Sequence, residues 1–126
     1  MLNICQVSLA REIPIILQNY KNFKNIYENI KIFIVCPKKD QKRFKNKLKF
    51  KDFFIIDEDS IIKFSKFKKI SNKYLKNKIF YKDIQNRLTW YYQQILKISF
   101  IIEFIEKKNS NITIWDADTI ILKKID

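Results

Sequence analysis

The hydrophobic positions of the chain follow two patterns: short apolar runs typical of β-strands, and longer stretches with helical spacing. The runs that predict strands span residues 2–9, 31–36 and 53–56. Between the first two runs, residues 11–29 repeat apolar side chains at the spacing of one helix face, and Pro14 is tolerable in its first turn. A shorter basic helix is predicted around residues 40–48. This alternation predicts an α/β fold with a parallel sheet and right-handed crossovers.

Residues 88–106 form the strongest predicted helix, and they are apolar almost all round toward the end of the helix. Such a helix is expected to be buried. Gln93, Gln94 and Lys97 stand out because residues three and four apart share a helix face, here close to Trp90. Polar groups on a buried helix need partners, which here are either the neighbouring loops or a ligand.

The stretch 61–82 combines a rough helical stripe of apolar residues with many lysines and no acidic residue. The plain interpretation is a solvated helical face or a mobile insertion. The first functional alternative is a basic amphipathic helix that lies on anionic lipid. Nucleic-acid binding is a further alternative, which the scarcity of arginine and the lack of a recognisable motif disfavour.

A short predicted strand at residues 112–115 leads directly into Asp116 and Asp118. Side chains alternate along a strand, so both carboxylates are expected to point one way while Ala117 points back into the core. At the carboxyl end of a parallel strand this direction is the ligand crevice. Two carboxylates repel each other unless a cation lies between them, and Mg²⁺ and Mn²⁺ prefer such oxygen ligands. The alternative is a solvated strand end whose aspartates cap the next element.

Composition narrows the possible chemistry. The 126 residues contain no histidine and no glycine, which excludes a Ser-His-Asp triad, a histidine-bearing zinc site, a P-loop and the dinucleotide fingerprint. The net charge of +13 is carried almost entirely by lysine, a bias typical of an AT-rich genome and of attraction to anionic partners. Cys5 and Cys36 fit no metal motif and are expected to be reduced, buried thiols. Without a signal peptide or a membrane span, we expect a cytoplasmic protein.

The helix Trp90–Ile98, followed by Trp115-Asp116-Ala117-Asp118-Thr119, resembles the bacterial glycosyltransferase-like family DUF6492. That family has a tryptophan-x-x-glutamine-glutamine-x-x-lysine helix ahead of an Asp-x-Asp strand. Residues 34–40 and 55–59 are also similar to its second and third strand ends. The resemblance covers most of the chain and is weakest over 61–82.

The resemblance implies the amino-terminal half of a GT-A fold, with a nucleotide-diphosphate sugar bound over a Rossmann-like sheet. It implies that Asp118 binds Mn²⁺ or Mg²⁺ directly and that Asp116 contacts ribose or metal. Ser8 at the end of the first strand, Gln94 and Lys97 are the residues it implies for binding the donor. The metal would neutralise the leaving diphosphate, so transfer needs no histidine acid.

Two features depart from the family. The chain ends eight residues after Asp118, before any acceptor-binding element, so residues 1–126 are expected to form a single, partial domain. Thr89 replaces a glycine that often precedes the family's tryptophan. We therefore expect metal-dependent sugar transfer to a surface glycan or lipid-linked acceptor, from a chain that is active or truncated and inactive. The alternatives are a non-catalytic nucleotide-binding fragment that needs a partner chain, and a basic protein bound peripherally to the inner membrane or to nucleic acid.

Overall fold

The computed structural model describes residues 1–76 and 81–120, and the part of the lysine-rich stretch at 77–80 and the end of the chain lie outside this range. The strands are β1 (Leu2–Val7), β2 (Ile30–Cys36), β3 (Phe53–Asp57) and β4 (Thr113–Ile114). The helices are α1 (Ile13–Ile26), α2 (Lys38–Lys47), α3 (Glu58–Ile61), α4 (Phe64–Leu75), α5 (Tyr81–Asn86) and α6 (Leu88–Lys108). All the predicted strands and helices are present, with shifted ends.

The four strands form one sheet in the order β3-β2-β1-β4, and every described pair is parallel. Leu2 pairs with Ile30 and Val7 with Val35, so β1 and β2 are in register over the whole length of β1. The Rossmann-like α/β prediction is confirmed. Because β2 and β3 extend from one side of β1 and β4 pairs with the other side, the strand order reverses between β1 and β4.

Helices cover both faces of the sheet, which explains why β2 is apolar without alternation. One face packs Ile4, Ile32 and Ile34 against α1 and α2, whose Phe23 and Phe44 are fully buried. The other face packs Cys5 and Val35 against Tyr92 and Leu96 of α6, with α3 and α4 alongside. No described helix is long and apolar enough to cross a membrane.

The prediction that α6 is buried is wrong for most of its length. Tyr92 and Leu96 pack on the sheet and Leu88 lines a groove beside α4, but Ile98 and Ile102 are 51% and 53% exposed. The physical reason is that the sheet lies on one side of α6, and α4 contacts only its first turns on the other. Beyond those turns an apolar side chain on the outer side has nothing to pack against among the described residues.

The first predicted helix begins two residues later than expected, and β1 is shorter than predicted. Residues Ala10–Glu12 form a 3₁₀ turn instead, in which Glu12 Oε2 accepts a hydrogen bond of 2.8 Å from the Leu9 amide. Pro14 lies in the first turn of α1, where its missing amide costs no helical hydrogen bond. Cys5 and Cys36 are buried and unpaired, and burial raises the pKa of each thiol to about 12.

Candidate functional site

A cleft of about 410 Å³ opens at the carboxyl ends of β1 and β4, where the strand order reverses. Open α/β sheets bind ligands at this switch point because two adjacent loops diverge there. Six of the lining residues come from the end of β1, from the turn that follows it and from the segment after β4. The others come from α1 and α6. The lining residues are Val7, Arg11, Glu12, Ile15, Trp90, Gln93, Gln94, Lys97, Asp116, Ala117 and Asp118.

Asp116 and Asp118 both line this cleft, but not by the alternation that the sequence predicted. The strand ends at Ile114, and the Thr119 amide donates to the Asp116 carbonyl at 3.0 Å, which closes a β-turn. The expectation of an extended Asp-x-Asp strand end is therefore corrected to a turn. A turn brings both carboxylates to one edge because it reverses the chain between them.

The turn is held from inside by its middle residue. Ala117 is buried, as predicted, and its carbonyl accepts a 2.9 Å hydrogen bond from Asn19 Nδ2 of α1. Asn19 is itself buried, so this bond satisfies two polar groups that have no access to water. Trp115 also closes over the turn, donating from Nε1 to the Thr119 carbonyl at 2.9 Å. The turn that carries both carboxylates is therefore held by one buried bond to α1 and by one bond within the turn itself.

Lys97 forms an ion pair within the cleft. Its Nζ lies 2.5 Å from Asp116 Oδ1, which joins the middle of α6 to the turn after β4. The lysine side chain is 8% exposed and the aspartate side chain 59% exposed, so the pair lies at the cleft wall with its carboxylate toward solvent. Sequence analysis required a partner for each polar residue on α6. For Lys97 that partner is Asp116, which was itself predicted to belong to the site.

The other predicted site residues divide into two groups. Gln93, Gln94 and Trp90 line the cleft beside Lys97, as their shared helix face predicted. Ser8 does not line it: this residue is buried, its amide donates to the Val35 carbonyl at 3.0 Å, and its Oγ has no partner among the described residues.

Sequence reasoning missed Arg11 and Glu12, which line the cleft from the 3₁₀ turn after β1. The available signal was position, since loops that follow β1 in such sheets face the switch point. Glu12 is already engaged with the Leu9 amide, whereas Arg11 is exposed and provides a second cation. The lining then carries three carboxylates and two cations, a formal charge of −1.

The carboxylates fit a divalent cation only together with a ligand. No group of three acidic, cysteine or histidine side chains converges on one point among the described residues. Mg²⁺ and Mn²⁺ are nevertheless often held by one or two carboxylates, with water and substrate phosphates completing the shell. Asp118 and the second oxygen of Asp116 meet that minimum, because Lys97 binds only Asp116 Oδ1.

A second acidic group, at the end of β3, has a structural role. Asp57 Oδ1 accepts a hydrogen bond from the Asp59 amide at 3.0 Å and caps α3. Burial, followed by repulsion from Asp59 and Asp57, raises the pKa of Glu58 above its ordinary value of 4.5. Asp57 in this acidic group therefore caps α3, while the charge on Glu58 is unfavourable.

The raised pKa of Glu58 predicts a pH-dependent gain from removing its charge. The folded chain holds the proton more tightly than the unfolded chain, so wild-type stability falls as the pH rises through and above about 4.5. We expect Glu58→Gln to unfold at a higher urea concentration than wild type at neutral pH, and at an equal concentration at about pH 4. Glu28→Gln, at an exposed position, is the control and should show no such difference. An equal gain at both pH values would contradict the charge explanation.

Comparisons with protein-family models, curated proteins and solved structures found no match to this chain. The class is therefore defined by the fold and its cleft: an α/β protein with an all-parallel described sheet and a polar cleft at the switch point.

Proposed function

We propose that this chain binds a nucleotide-diphosphate sugar in the switch-point cleft, together with Mn²⁺ or Mg²⁺, as part of a glycosyl transfer reaction. The observation that carries the proposal is that Lys97, Asp116 and Asp118 line one cleft, in which the Lys97 ammonium group binds Asp116. The resemblance of these residues to a glycosyltransferase-like family supports the same choice of ligand.

The charge of the cleft supports a requirement for metal. A diphosphate is strongly anionic, and a lining with a formal charge of −1 repels it. A divalent cation on Asp116 and Asp118 reverses that sign and, when bound, supplies Lewis-acid stabilisation of the leaving diphosphate. Lys97 and Arg11 contribute point charges for phosphate oxygens, and the amides of Gln93 and Gln94 provide donors and acceptors for hydroxyl groups.

Lys97 has a positioning role in this proposal as well. Its ammonium group binds Asp116 Oδ1, so one carboxylate oxygen is held toward α6 and the other is left toward solvent. A charge that is removed from water needs a paired partner to offset the cost of burial. The pair thereby orients the Asp116 carboxylate for metal binding before a nucleotide sugar enters the cleft.

The proposal is tested by calorimetric titration of UDP and GDP into the full chain, with and without Mn²⁺. We expect binding of at least one nucleotide that depends on the metal, because without metal the cleft and the diphosphate repel each other. Magnesium should substitute for manganese, whereas a buffer that contains a chelator and no divalent metal should abolish the heat of nucleotide binding. Absence of metal-dependent binding by a chain that is folded by circular dichroism would reject the proposal.

A second candidate is nucleotide binding without sugar transfer. Two of the three cleft carboxylates are already engaged, Glu12 by the Leu9 amide and Asp116 by Lys97, which leaves Asp118 as the unengaged one among the described residues. If Asp118 binds metal, none of the three is free as a general base. This second function would be favoured if the chain binds nucleotide in a metal-dependent way but releases no nucleotide from a donor sugar, even when a sugar acceptor is present.

A further inference from the structure

Exposed apolar residues lie on α4 and on the outer side of the adjoining α6, and we call this surface the α4–α6 face. On α6 its exposed members recur every three or four residues, the spacing of one stripe along a helix. On α4, Ile70 and Tyr74 are exposed, at 44% and 67%. The stripe on α6 consists of Tyr91, Ile95, Ile98, Ile102 and Ile105.

A groove of about 420 Å³ forms the inner part of this face, between the two helices, and its lining is mostly apolar. The lining residues are Phe67, Ser71 and Leu75 from α4, with Leu88, Tyr91, Gln94 and Ile95 from α6. Gln94 also lines the switch-point cleft, and the ring of Tyr91 lies 5.1 Å from that of the cleft residue Trp90. The groove and the polar cleft are therefore adjacent.

Positive charge borders the α4 part of the apolar face. Six exposed lysines belong to α4 and its two caps, and residues 60–76 contain no acidic side chain. Lys66 and Lys73 lie four residues before and three residues after Ile70, so they flank it along the helix. Lys73 Nζ lies 5.7 Å from the centre of the Tyr74 ring. The six lysines are Lys63, Lys66, Lys68, Lys69, Lys73 and Lys76.

We propose that the α4–α6 face docks on an anionic lipid bilayer, with lipid chains against the apolar stripe and in the groove. Exposed isoleucines and aromatic rings beside a row of lysines are complementary to a surface whose interior is apolar and whose headgroups are negative. Two alternatives fit less well. A second copy of the chain would bring two lysine-rich borders together, and a nucleic acid would leave the apolar stripe uncovered.

Docking on lipid has a consequence that rests on the proposed function. Because the groove adjoins the cleft at Gln94, a lipid-linked acceptor whose chain lies in the groove would present its headgroup to the bound donor. The membrane would then be the source of the acceptor as well as the docking surface. Vesicle binding is measured without nucleotide, so its failure and the failure of nucleotide binding are separate results.

The test is flotation of the full chain with vesicles of phosphatidylcholine alone and of phosphatidylcholine with phosphatidylglycerol. We expect binding to the anionic vesicles only. Ile98→Ser/Ile102→Ser and Lys66→Glu/Lys73→Glu should each lower the partition coefficient at least about tenfold, since each removes one half of the complementarity. All four side chains are exposed, so the variants should remain folded, which circular dichroism checks.

Matched variants on the opposite face of the sheet separate specific docking from general charge. Lys42→Glu/Lys45→Glu on α2 makes the same change of charge, and Phe50→Ser removes an exposed apolar side chain beside α1. Both controls should bind like wild type. The proposal is overturned if anionic vesicles are not bound, if the two lysine pairs weaken binding equally, or if the isoleucine variant binds unchanged. Concentration-dependent dimers that the isoleucine variant abolishes, without vesicle binding, would assign the face to a second copy.

Discussion

Asp118→Asn is expected to lower the Mn²⁺-dependent affinity for nucleotide diphosphate at least about 100-fold. Loss of groups that merely orient metal ligands typically costs 10- to 100-fold in metal affinity, and removal of a direct ligand should cost no less. An amide keeps the size of the side chain but has no negative charge to offset the cation. Asp118 is exposed on a turn, so the substitution should leave the fold and the unfolding midpoint unchanged.

The measurement is titration of the nucleotide at saturating and at zero Mn²⁺, for wild type and variant. Glu28→Gln is the control, because it makes the same carboxylate-to-amide change at an exposed position outside the cleft. Metal-free affinity should be equal or slightly higher in Asp118→Asn, since a negative charge has left the cleft. Unchanged Mn²⁺-dependent affinity would remove Asp118 from the metal site.

Phe23→Ala is expected to lower the free energy of unfolding by about 3–5 kcal/mol, as is typical when a fully buried aromatic ring is deleted. Phe23 of α1 is 1% exposed and packs edge-to-face on Trp115, with ring centres 5.0 Å apart. Trp115 immediately precedes Asp116. The cavity should therefore loosen the turn that carries the carboxylates as well as weaken the core.

Urea unfolding followed by circular dichroism measures the first effect, and metal-dependent nucleotide affinity under native conditions measures the second. Phe54→Ala is the matched control: its ring stacks on Phe33 at 5.0 Å but is 39% exposed, so its loss should cost about 1 kcal/mol. Equal losses in the two variants would contradict the packing described for α1 and β4.

The core strands were predictable because parallel strands covered on both faces need nearly continuous apolar residues. The runs at 31–36 and 53–56 correspond to β2 and β3 within about one residue at each end. Strand ends were less predictable where local side chains compete with the sheet. Glu12 captures the Leu9 amide, which favours a 3₁₀ turn over continuation of β1.

Part of the candidate site was predictable for a similar reason. A helical spacing of three and four places Gln94 and Lys97 on one face, and a strand that follows a helix brings Asp116 and Asp118 to the carboxyl edge. The local spacing of residues does not predict the pairing of Lys97 with Asp116, because that pairing depends on how α6 lies across the sheet. Ser8 does not line the cleft, because a strand-end hydroxyl is buried as readily as it is exposed.

The amino-acid sequence by itself determined the α/β class, the approximate elements and the residue types that meet at the cleft, because these depend on local periodicity. Only the tertiary structure decided that β4 pairs with β1, that the Asp116–Thr119 segment is a turn, and that α6 exposes an apolar stripe. An apolar helix is buried only where another element covers it. Whether one does is a property of long-range packing, which the sequence pattern of a single helix does not encode.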